Sequence, residues 1–83
     1  MAITGKHVAA ARALLGLTQA QLAEMSSVNP ATILRFENGQ NEPRPATVAM
    51  LQRALEDRGI EFSNGGDPGV RLFRSKAKTP GTY

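Results

Sequence analysis

One stretch limits what this chain can become: Thr18 to Gly39, TQAQLAEMSSVNPATILRFENG. It carries two helix starts close together. Thr18 is a capping residue, and Gln21 stands three positions on, the spacing of a capping box. Asn29 is a second cap, and Pro30 follows at the first helical position, where a missing N–H costs nothing. Gly39 stands where a helix end calls for a left-handed residue. Only Ser26, Ser27 and Val28 separate the first expected helix, Gln19 to Met25, from the Asn29 cap of the second, Pro30 to Asn38. Leu22, Ala23, Val28, Ile33 and Phe36 can converge on one side of such a pair.

The flanks extend the pattern. Val8, Ala11, Leu14 and Leu15 recur at helical spacing in a first helix from Gly5 to Leu15, capped by Thr4 and stopped by Gly16. A fourth helix is expected from Pro45 to Arg58, with Val48, Leu51, Leu55 and Ala54 as its apolar stripe and Gly59 as its stop. The period then changes. Ile60–Ser63 and Val70–Arg74 alternate in part, and Asn64–Gly69 is dense in turn residues, which predicts two short strands and a hairpin-like connection. A lone hairpin is marginal in water, so the strands must pack on the helices or pair with another chain. The expected fold is mainly α: a compact four-helix bundle followed by a short C-terminal β-hairpin.

The central stretch resembles the helix-turn-helix of the lambda-repressor and Cro-like transcription factors. The matching residues are Leu17-Thr18-Gln19, Leu22-Ala23, Val28, Ala31-Thr32-Ile33 and Phe36-Glu37-Asn38-Gly39. With its flanking helices the resemblance covers roughly residues 6–59. There is one departure: the family usually has glycine where this chain has Ser27. Either the turn differs, or about 1 kcal/mol of left-handed strain is accepted there.

The resemblance implies a DNA-binding domain over residues 1–59 with no catalytic role. Gln19 would contact the DNA backbone; its plainer reading is a polar residue in a first helical turn. The outer face of the third helix offers Asn29 for phosphate or adenine, Pro30 for apolar contact only, Ala31 and Thr32 for a thymine methyl, and Arg35 for guanine or phosphate. Leu34 either touches a base methyl or packs on a neighbouring segment. So few hydrogen-bonding readers leave much of the specificity to apolar contact or DNA shape. Asn38, Gln40 and Arg44 would follow the sugar-phosphate backbone, or belong to a solvated loop. The resemblance also pairs Arg12 with Glu37, as a structural ion pair tying the first helix to the third.

Composition narrows the partners. Eighty-three residues hold one domain and a small core, with no room for a separate ligand-sensing domain. Without cysteine there is no disulfide framework or thiolate metal site. No metal spacing, no nucleophile beside a base and no cofactor motif appears. The glycines at 65 and 66 lack the Lys-Ser/Thr and following helix of a phosphate loop. His7, the single histidine, reads as a solvated surface residue. No run approaches the roughly 18 apolar residues of a membrane span, and no leader pattern opens the chain, so a cytoplasmic location is expected.

The pI near 10.0 favours nucleic acid. Yet residues 1–69 carry six basic and seven acidic side chains, while residues 70–83 carry Arg71, Arg74, Lys76 and Lys78 with no acid. Phosphate neutralisation supplies most non-specific affinity, so one copy should bind double-stranded DNA weakly. A homodimer is expected, built by residues 60–74 through Ile60, Phe62, Val70, Leu72 and Phe73, with residues 75–83 a flexible basic tail. The alternative is an interaction module of the same fold that binds another regulatory protein.

Overall fold

A computed structural model describes residues 3–63, 69–73, 75 and 77. Four helices come first: α1 Gly5–Leu15, α2 Gln19–Ser26, α3 Pro30–Glu37 and α4 Pro45–Glu56. Strands β1 Ile60–Ser63 and β2 Gly69–Leu72 follow. Residues 64–68 of the expected turn Asn64–Gly69, Arg74 of the expected second strand and most of the expected tail lie outside the described residues, and Gly69 opens β2. No helix among the described residues is long and apolar enough to cross a membrane.

Local chemistry sets the helix ends. Thr18 Oγ1 accepts from the Gln21 N–H at 3.0 Å, and Gln21 Oε1 accepts from the Thr18 N–H at 2.8 Å, which completes the expected box. Asn29 Oδ1 accepts from the Ala31 N–H at 2.8 Å ahead of Pro30. At the end of α3, the Gly39 N–H donates to Phe36 O and the Gln40 N–H to Arg35 O, with Gly39 left-handed at φ 73°. That is the Schellman arrangement. Ser26 belongs to α2 rather than to the turn: its hydroxyl donates to Leu22 O at 2.7 Å, which satisfies it in a buried place.

The core is a single cluster of side chains from all four helices and β1. Val8, Leu22, Ile33, Leu51 and Leu55 are fully buried at its centre, joined by Leu15, Leu17, Val28, Phe36 and Ile60. Leu14 is not among them. It is 44 % exposed, because about 100° per residue puts it at the margin of the stripe centred on Val8, Ala11 and Leu15. Helix α1 approaches α3 closely: a Cβ on Gly5 would lie 1.9 Å from the Phe36 carbonyl oxygen. Only glycine fits there.

The strands form an antiparallel hairpin, Ile60 opposite Leu72 and Phe62 opposite Val70. Those four apolar residues share one face and the Glu61–Arg71 pair takes the other. The hairpin folds back onto its own bundle, β2 against α1 and β1 against α4. Ile60, expected at a dimer contact, is buried within the one chain; Phe62, Val70, Leu72 and Phe73 are half-buried. Gly59 allows the return, since a Cβ there would meet the Phe73 carbonyl oxygen at 2.3 Å.

His7 corrects the sequence reading. It is 7 % exposed, not solvated. It completes a capping box with Thr4, whose N–H donates to Nδ1 at 3.0 Å and whose Oγ1 accepts from the His7 N–H at 3.3 Å. Its ring meets Phe62 edge-on, with centroids 6.0 Å apart. The other ring nitrogen, Nε2, is buried with no hydrogen-bond partner among the described residues.

Candidate nucleic-acid interface

Helix α3 is two-sided. Ile33 and Phe36 are buried, while Asn29, Pro30, Ala31, Leu34, Arg35 and Asn38 are exposed and Thr32 is half-buried. An eight-residue helix is about 12 Å long, so its outer face spans only a few base edges. Exposure continues through Gln40, Asn41, Glu42 and Arg44 in the loop before α4. Apart from half-buried Thr32, the expected DNA-facing residues of α3 and its loop are thus all exposed.

The end of α3 is held by a charged node. Arg12 on α1 makes a two-pronged contact with Glu37: Nε donates to Oε2 at 2.9 Å and Nη2 to Oε1 at 2.8 Å. The third nitrogen, Nη1, donates to Leu17 O at 2.9 Å. Gln19 Nε2, from the first turn of α2, donates to Glu37 Oε1 at 3.0 Å. One carboxylate therefore receives hydrogen bonds from both α1 and α2. The Glu37 side chain is only 5 % exposed. Burial alone would push its carboxyl pKa up, but the hydrogen bonds from Arg12 and Gln19 and the Arg12 charge outweigh burial, and the group titrates below the ordinary carboxylate range. The same hydrogen bond raises the Arg12 guanidinium. Glu37 consequently presents no free negative charge beside the outer face of α3.

Two candidate readers are engaged by the fold itself. Asn29 Oδ1 is the cap of α3, so Asn29 cannot offer adenine the paired oxygen and NH₂ contact while it caps. The Gln19 amide is tied to Glu37. The resemblance pointed to the Arg12–Glu37 pair; the Gln19 bridge and the Leu17 carbonyl went unseen, for they depend on how α1 and α2 meet. What α2 keeps open is its first turn, where the Gln19 and Ala20 N–H groups lack intrahelical partners.

The turn between α2 and α3 carries the departure noted in the sequence. Ser27 is left-handed, φ 60° and ψ 28°, and is the non-glycine residue with positive φ among the described residues. The turn keeps the geometry that glycine would give, with the strain accepted.

Among the described residues no group of three or more His, Cys, Asp or Glu could hold a metal ion. A comparison with curated proteins returns no match. A helix-turn-helix family model matches residues 8–60, from α1 through the first residue of β1. That span contains the capped helix pair, the Arg12–Glu37 node and the exposed face of α3, and the chain belongs to the lambda-repressor and Cro-like helix-turn-helix family of DNA-binding regulators.

Proposed function

We propose that the chain is a sequence-specific repressor that binds double-stranded DNA as a homodimer in the cytoplasm and acts by occupying its site. Helix α3 enters the major groove. Arg35 reads guanine or grips a phosphate, and Ala31 and Thr32 lie against base edges. Pro30 contributes apolar contact, and Asn29 reaches a phosphate through its NH₂ group. The open N–H groups at the start of α2, beside Gln19, hold one strand's phosphate. Asn38, Gln40 and Arg44 track the backbone from the following loop.

The observation that carries this reading is the asymmetry of α3: its inner side chains are locked in the core, its end is tied to α1 and α2, and its outer face is bare. A helix so held can present side chains to a groove without ordering its backbone on binding. Selection from random-sequence DNA followed by mobility shift tests it. An enriched, roughly palindromic site is the expected result; no retention of DNA at low salt would refute it.

Dimerisation is proposed on two grounds. One α3 reads too few bases for a specific site, and one copy carries few phosphate contacts. The hairpin supplies an edge. The Phe73 N–H donates to Gly59 O at 2.7 Å, so in this register the Glu61–Arg71 and Ser63–Gly69 pairs exchange hydrogen bonds. Val70 and Leu72 then direct their N–H and C=O groups outward from β2, available to a second copy. Half-buried Phe62, Val70, Leu72 and Phe73 retain surface for that contact, while Ile60 supports it from within.

A further inference from the structure

The outer face of α3 carries one large apolar side chain. Leu34 is 45 % exposed. At about 100° per residue it lies beside Pro30, one turn back, and next to Ala31, both also exposed. These three make a continuous apolar strip along one flank of the helix, with Arg35 on the other. Meanwhile the hydrogen-bonding readers shrink. Asn29 uses its oxygen as a cap, Gln19 gives its amide to Glu37, and Thr32 is half-buried. Arg35 is left as the strong polar reader on the first two turns of α3.

Each base pair shows the major groove one apolar feature at most, the C5-methyl of a pyrimidine. We propose that Pro30, Ala31 and Leu34 form a reader of pyrimidine C5-methyl groups, selecting thymine, and 5-methylcytosine over cytosine, at one or two positions of each half-site. This rests on α3 being the groove-entering helix. The strip is continuous with that surface, and a methyl group is the ligand that an apolar strip recognises without leaving a buried polar atom unpaired.

The test uses the full chain and the site selected from random DNA. Each thymine is replaced in turn by uracil, which removes one methyl and keeps the pairing. Affinity should fall about four-fold per contacted methyl at one or two positions of each half-site and stay unchanged elsewhere. Replacing such a thymine by cytosine should weaken binding, and methylating that cytosine should recover about four-fold. Leu34→Ala, an exposed substitution, should remain folded by circular dichroism, bind DNA, and lose its preference for thymine over uracil there. A site bound well yet indifferent to every uracil, or a Leu34→Ala variant that keeps full methyl sensitivity, overturns the methyl reader and leaves the DNA-binding reading standing. A chain that enriches no site overturns both.

Discussion

Arg12→Ala removes the group that makes a buried carboxylate tolerable. Breaking a buried ion pair from one side costs about 3–5 kcal/mol, because the remaining charge is left without a partner. Glu37 is 5 % exposed and keeps only the Gln19 amide; Arg12 is 22 % exposed, so water reaches part of the vacated space. The lower end, about 3 kcal/mol, therefore applies. The carbonyl of buried Leu17 also loses its donor, adding about 1 kcal/mol. A domain of this size holds about 4–12 kcal/mol in all, so the loss is a large share. Glu37→Ala should cost less, about 1–2 kcal/mol, since Arg12 keeps Leu17 O and some solvent. The double variant should lose about 2 kcal/mol less than the sum. Equilibrium urea unfolding of all four proteins measures this. Additivity within about 0.3 kcal/mol would refute the node as a coupled unit.

The pH dependence has a definite sign. The Glu37 carboxyl titrates lower in the folded than in the unfolded chain. Its contribution is complete above the unfolded value, near pH ~4.3, and is lost as pH falls through the lower folded value. Glu37→Gln should flatten that part of the acid-unfolding profile. An unchanged acid limb would show that the pair adds nothing to folding.

Three further outcomes are expected. Ser27→Gly should raise stability by at most about 0.6 kcal/mol, the difference between the left-handed strain relieved and the extra freedom of an unfolded glycine; a lower melting temperature would contradict strain at that turn. Arg35→Ala should leave stability unchanged and weaken the selected site by about 1–3 kcal/mol relative to random DNA; equal loss on both would make Arg35 a phosphate contact. Val70→Pro removes an outward N–H while sparing the hydrogen-bonded pairs of the hairpin, so the variant should sediment as a folded monomer; a persistent dimer would place the interface elsewhere.

The four helices and the hairpin were legible in the sequence because their signals are local. Thr4, Thr18 with Gln21, and Asn29 with Pro30 act on backbone groups within three residues, so spacing alone identifies them. Gly16 and Gly39 end helices by their own backbone freedom. At Ser27 the sequence left two outcomes open, a different turn or accepted strain, and the folded turn takes the left-handed one.

What tertiary structure decided lies between elements far apart in sequence. His7 looked solvated because nothing near it in the chain covers it; Phe62 does so from the hairpin. Leu14 and Leu34 carry the same apolar signal as their buried neighbours, and only the directions in which α1 and α3 pack leave them outside. Gln19 carries the same amide whether it faces phosphate or Glu37, and the approach of α2 to α3 chose Glu37. The apolar face of the hairpin could have stayed open or turned inward. Burying Ile60 in the same core as Leu51 and Leu55 drew it onto its own bundle, because apolar area removed from water is gained without the entropy of association.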